Sequence, residues 1–195
     1  MCATQWGVHA EHHVDPAMLL GADHYRGLID AGPTGRPNRS GGLFTYVLDR
    51  NPQVESVLSE VQGRLQLTPF EVLSQAPSSG RALRTDPDSY RMKPVEQWLE
   101  GFATADFVLT DSFHGTVMAI IFNKPFLVLG NHVRGMARFT SLLEMFGLAQ
   151  YLVDMNDDSP KLIFTPPDWS AVNSLVAEER TRALAYLAEA LGERQ

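Results

Sequence analysis

The stretch Phe107-Val-Leu-Thr110-Asp-Ser-Phe-His-Gly115-Thr-Val-Met-Ala-Ile-Ile-Phe122-Asn-Lys-Pro125-Phe-Leu-Val-Leu129 decides the fold. It opens on a short β-rich run, Phe107 to Thr110, turns through Asp111 to Gly115, and continues as an almost wholly apolar helix over Thr116 to Phe122. A second β-rich run, Pro125 to Leu129, closes it. Strand, helix and strand in so short a span make a βαβ unit, whose two strands are expected to be parallel and its crossover right-handed.

The same alternation extends outward. Leu43 to Leu48 reads as a strand, and Pro52 sits at the first turn of a helix through about Gln62 with Val54, Val57, Leu58 and Val61 on one face. A strand is expected near Phe70–Leu73 and a loop over Pro77 to Pro87. Pro94 fits the start of a helix carrying Val95, Trp98, Leu99 and Phe102 and ending near Ala105. Downstream, Met136 to Phe146 forms a helix stopped by Gly147. After a polar loop, Asp168 caps a last helix carrying Val172, Leu175, Val176, Leu184, Leu187 and Leu191. Residues 1–42 alternate short apolar pieces with breakers and end in a Gly- and Pro-rich loop from Ala31 to Gly42. The expected organisation is therefore an N-terminal segment and junction loop over 1–42 and a Rossmann-like α/β domain over 43–195, a parallel sheet with helices on both faces. Ligands of such sheets bind outside the carboxyl ends of the strands. Two turns lie there: Thr110 to Gly115 and Gly130 to Arg138.

Composition narrows the function classes. The chain has 195 residues, of which 44% are hydrophobic and 20% charged, so a buried core is expected and a disordered chain is not. Net charge is -7 and no long basic run is present, which argues against tracking a nucleic-acid backbone. The one cysteine, Cys2, excludes an intramolecular disulfide framework and a Cys-rich zinc site. The opening residues lack the basic and apolar regions of a signal peptide, and no apolar run reaches the length of a transmembrane segment. A cytoplasmic protein is expected, peripheral at most to the inner face of the membrane. Its cations are 13 Arg and only three Lys, a bias that suits bidentate anion recognition but locates no site and accords with a GC-rich genome.

The first turn places Ser112, Phe113, His114 and Gly115 at a strand-to-helix junction. Free amides and the positive end of the helix dipole there can hold a phosphate or carboxylate, with His114 as a proton carrier. The alternative is that Asp111 or Ser112 caps the helix and His114 bonds a neighbouring loop. The second turn carries Asn131, His132, Arg134 and Arg138. The two arginines, four residues apart, form an anion clamp if the helix begins early enough, and otherwise a solvated helix start. A serine nucleophile is not expected, since no Gly-x-Ser-x-Gly elbow is present. His9, Glu11, His12, His13 and Asp15 have the composition of a metal cluster without a metal-binding helical spacing, so no metal site is expected. The loop from Gly32 to Gly42 lacks a phosphate-loop lysine.

These residues carry a resemblance. Trp98-Leu99, the run Ala105-Asp106-Phe107-Val108-Leu109-Thr110-Asp111-Ser112-Phe113-His114-Gly115, then Phe122-Asn123-Lys124-Pro125-Phe126, Asn131, Arg134-Gly135, Arg138 and Ser141-Leu142-Leu143 closely resemble the polysaccharide pyruvyl transferase family. Asp15-Pro16-Ala17-Met18-Leu19-Leu20 resembles that family's Asp-Pro-x-x-Leu-Leu element near the domain junction. The resemblance implies the C-terminal domain of a two-domain, GT-B-like transferase that moves the enolpyruvyl group of phosphoenolpyruvate to a sugar or lipid-linked saccharide in cell-surface or exopolysaccharide assembly. It implies His114 as the catalytic residue, with Ser112, Phe113, Gly115, Asn131, Arg134 and Arg138 binding substrate, and no metal or nucleotide cofactor. One departure stands out: where ketal pyruvyltransferases often read Arg-Leu-His-Gly, this chain reads Ser112-Phe113-His114-Gly115, so Arg134 or Arg138 is expected to supply the missing charge. The family's N-terminal half has no counterpart before Asp15. A separately encoded N-terminal half or a homo-oligomer is the expected partner, and without one the chain would be a catalytically silent fragment. A nucleotide-sugar glycosyltransferase of the same fold is the alternative chemistry.

Overall fold

The computed structural model describes residues 6–8, 10–32, 41–73, 93–130, 135–157 and 159–192. Its centre is a five-stranded parallel sheet in the order β2-β1-β3-β4-β5, with β1 at Leu43–Tyr46, β2 at Pro69–Phe70, β3 at Phe107–Thr110, β4 at Phe126–Leu129 and β5 at Leu152–Val153. Between the strands run α2 (Pro52–Leu65), α3 (Val95–Thr104), α4 (Phe113–Ile121) and α5 (Ala137–Met145). Helix α1 (Ala22–Ala31) precedes the sheet and α6 (Trp169–Ala190) follows it. This order is one of the two common doubly wound arrangements, with its topological switch point between β1 and β3.

Strand residues alternate between two cores. Phe44, Val108, Phe126 and Val128 face a large cluster built with Leu99 and Phe102 of α3, the inner face of α4, Phe139 and Leu143 of α5, and Val172 and Val176 of α6. Leu43, Phe107, Leu109, Leu127 and Leu129 face the opposite side, where α2 supplies Val54, Val57 and Val61. Both faces of β3 and β4 are buried, which explains their unbroken apolar sequence. Close helix-to-sheet approach is set by Gly101 of α3, where a Cβ would stand 2.5 Å from the Phe44 ring.

Several elements differ from the sequence expectation: β1 ends at Tyr46 rather than Leu48, and β2 occupies Pro69–Phe70 rather than Phe70–Leu73. Helix α4 begins at Phe113 rather than Thr116, because Ser112 caps it. Residues 22–31, read as broken pieces, form α1, which packs on α3, with Val14, Met18 and Tyr25 joining the large core. The polar loop after α5 contains β5, which exists through pairing with β4. Asp168 caps α6 as expected, its Oδ1 accepting from Ser170 N at 3.0 Å and Ala171 N at 3.2 Å.

Candidate functional site

The carboxyl ends of β1 and β3 meet at the switch point, and the polar residues there are committed to building it. Thr110 Oγ1 donates to the Tyr46 carbonyl at 2.7 Å and accepts from Ser112 N at 3.1 Å. The buried Asp111 carboxylate accepts from Leu48 N at 2.7 Å and Asp49 N at 2.9 Å. It therefore occupies the loop after β1, whose amides would otherwise be open to an anion. Ser112 Oγ accepts from Gly115 N at 3.3 Å and its carbonyl accepts from Thr116 N at 2.9 Å. These are N-cap bonds, and they leave the Phe113 and His114 amides without an acceptor inside the helix. Gly115 is required by proximity: a Cβ would collide with Thr110 Oγ1 and come within 3.1 Å of the Tyr46 ring.

His114 stands on the first turn of α4 with its side chain 63% exposed. Its Nε2 is 3.7 Å from Oδ2 of Asp15, while Asp15 Oδ1 accepts from Ala17 N at 2.9 Å and caps the 3-10 turn Pro16–Leu19. The carboxylate is thereby held in place beside the imidazole. Arg138, on the first turn of α5, lays its guanidinium 5.3 Å from the centroid of the Phe113 ring. Phe113 in turn meets Phe139 edge-on at 6.1 Å. The 3-10 turn is clamped from α6: Arg180 donates from Nε to the Met18 carbonyl at 2.7 Å and from Nη2 to the Leu20 carbonyl at 3.1 Å. The Tyr25 hydroxyl donates to the Ala17 carbonyl at 2.8 Å, and burial, reinforced by the Asp15 charge, pushes its pKa up.

A groove of about 210 Å³ adjoins the histidine, between residues 12–15 and α5, with Asp15, Phe113, Arg138 and Ser141 in its wall. His12 Nε2 and Ser141 Oγ are 3.1 Å apart across it. His13 also borders the groove, 3.3 Å from Glu11 Oε2 and with its ring tilted at 36° to the Tyr186 ring, 4.6 Å between centroids. Among the described residues, no three His, Cys, Asp or Glu side chains converge on a metal position.

The structure thus brings together Phe113, His114 and Arg138, with Ser112 and Gly115 beneath them shaping the turn. Asn131 and Arg134 lie outside the described residues. Sequence reasoning missed Asp15 as the neighbour of His114 and the pairing of His12 with Ser141. Asp15 carried one signal, its place in the Asp-Pro-x-x-Leu-Leu element. The His12–Ser141 pair carried none, because it joins segments from opposite parts of the chain.

A doubly wound α/β sheet with a histidine, a carboxylate and a guanidinium near the start of the helix after its central strand has the chemistry to bind an anionic group. The family model of polysaccharide pyruvyl transferase matches residues 2–133, and the chain belongs to that family. The matched region contains Asp15 and the whole Thr110–Gly115 turn, while Arg138 and Ser141 lie beyond it. No curated protein and no solved structure matches the chain.

Proposed function

We propose that this protein transfers the pyruvyl group of phosphoenolpyruvate to a sugar of a cell-surface or exopolysaccharide precursor, forming a ketal and releasing inorganic phosphate. The observation that carries this reading is the Asp15–His114 pair, which two distant elements of the family-matched region place at the amino end of α4. The donor's carboxylate and phosphate lie toward the Phe113 and His114 amides and the positive end of the helix, with Arg138 balancing charge as phosphate departs.

The reaction balances without redox chemistry. Protonated His114 delivers its proton to the methylene carbon, making the methyl group and leaving positive charge at the adjacent ketal carbon. A sugar hydroxyl attacks that carbon and its proton returns to the imidazole, with Asp15 stabilising the imidazolium. The carbon–oxygen bond to phosphate then breaks, the second hydroxyl closes the ketal, and its proton leaves on the phosphate. No metal or nucleotide is called for by these steps.

The test is acceptor-dependent release of inorganic phosphate from phosphoenolpyruvate, with the ketal methyl group identified by NMR. His114→Ala is expected to lower the rate by about two to four decades while the exposed position leaves the fold intact. Near-normal turnover in that variant removes His114 from the chemistry. Stabilisation by nucleoside diphosphates but not by phosphoenolpyruvate would transfer the protein to nucleotide-sugar chemistry.

A further inference from the structure

We propose that the groove between residues 12–15 and α5 is where the acceptor sugar binds, with the His12 imidazole and the Ser141 hydroxyl reading its hydroxyl groups. That the sugar is an acceptor rests on the pyruvyl-transfer reading; that the groove binds a sugar does not.

Three features of the groove select a neutral polyhydroxylated ring. The first is size: about 210 Å³ falls below the roughly 300–1,000 Å³ of sites for larger ligands and suits one small ring. The second is the wall, where Phe113, Leu142 and Met145 offer an apolar surface to the C–H face of a pyranose. The third is the polar pair. A neutral imidazole and a hydroxyl each combine donor and acceptor capacity, which is what a sugar hydroxyl requires of its partners. Their 3.1 Å contact shows that the two are at bonding height across the groove, poised to exchange that bond for two bonds to a ligand. The backbone behind them is fixed, since Arg182 of α6 donates to the His12 carbonyl at 2.6 Å.

Charge sorts the two substrates. Asp15 and Arg138 both line the groove, so their charges offset there and the Asp15 carboxylate opposes a phosphate or a second carboxylate at its own end, while the anionic donor is drawn to the Phe113 and His114 amides. A sugar has no such penalty and gains a hydrogen-bond acceptor. Because Asp15 also stands 3.7 Å from His114, a ring seated in the groove has its hydroxyl beside the group that takes up its proton.

The experiment titrates the full chain with a panel of methyl hexopyranosides while following the histidine ring resonances by NMR, with and without phosphoenolpyruvate. At least one glycoside is expected to shift the His12 resonance. Ser141→Ala and His12→Ala should each weaken that binding about tenfold, the loss of one good hydrogen bond. Glu144→Gln, on the same helix but outside the groove, should leave it unchanged, and phosphoenolpyruvate should move His114 without displacing the sugar. A glycoside that binds, or serves as acceptor, without moving His12 and survives Ser141→Ala overturns the groove while leaving pyruvyl transfer standing. So does a panel in which no sugar binds. Sugar binding at His12 in a protein that neither binds nor consumes phosphoenolpyruvate has the opposite effect: the groove stands and the donor assignment fails.

Discussion

Arg180 of the last helix donates from Nε to the carbonyl of Met18 at 2.7 Å, so the element farthest along the chain holds the turn that carries Asp15. The same guanidinium reaches the Leu20 carbonyl at 3.1 Å, and both carbonyls belong to a turn too short to satisfy them by itself. Hydrogen bonds from a charged donor are worth about 1.5–3 kcal/mol. Arg180→Met, which keeps the length of the side chain and removes its donors, is expected to lower unfolding free energy by about that much in urea titration. It should also lower pyruvyl transfer, because Asp15 loses its fixed position beside His114. Unchanged stability would mean the two bonds are replaced by water at no cost.

Asp111 tests whether the strand-to-helix turn is structural beneath the proposed site. Its buried carboxylate is the acceptor for two amides of the loop after β1. Asp111→Ala leaves both amides unpaired, and a loss of about 2–5 kcal/mol is expected. Asp111→Asn keeps one acceptor oxygen and should fall between the two. A variant as stable as the parent would show that the amides find other partners, and would reopen that loop as an anion site.

How much of this was legible in the sequence depends on where each element draws its stability. The β3–α4–β4 unit was readable because burial on both faces leaves long apolar runs bounded by a turn. Helix α1 was missed although Ala22, Tyr25 and Ile29 recur at helical spacing and pack on the large core, because Gly21, Gly27 and Gly32 in and around it read as breakers. Two-residue β5 is created by its neighbour rather than by its own composition. The turn residues Ser112 to Gly115 were found, but their division of labour was not. Ser112 was one of two cap candidates and its bond to Gly115 N is local, but that Asp111 is left to brace the loop after β1 is tertiary, since that loop lies far upstream in the chain. The Asp15–His114 contact is likewise tertiary, and only the family-like element at Asp15 hinted at it.

Gly115 is expected to tolerate no side chain. A Cβ there collides with Thr110 Oγ1 and presses on the Tyr46 ring, and overpacking of this kind costs about 1–3 kcal/mol. Because Thr110 Oγ1 is the nearest obstacle, the penalty of Gly115→Ala should shrink in a Thr110→Ala background, giving a favourable coupling in the double-mutant cycle. Additive losses would place the strain elsewhere, in the helix start itself.

Tyr25 gives a pH signature. Burial, then the charge of Asp15, raises its pKa above the ordinary 10.0, with Arg180 pulling the other way. The folded state therefore holds the phenol proton more tightly than the unfolded chain. The stability this confers is complete below pH 10.0 and is lost as pH rises through the folded pKa, where the donor to the Ala17 carbonyl disappears. Tyr46 and Tyr151, also raised by burial, add to the same alkaline loss, while Lys124, lowered by burial, opposes it. Tyr25→Phe should be less stable than the parent by about 1 kcal/mol near neutrality, the worth of one neutral hydrogen bond. That gap should narrow as pH climbs past 10.0, since the parent then loses what the variant never had. Denaturation midpoints of the two proteins, measured from neutral to alkaline pH, decide it: parallel curves would mean that Tyr25 titrates alike in the folded and unfolded chains, and converging curves that its buried hydroxyl holds the Asp15 turn.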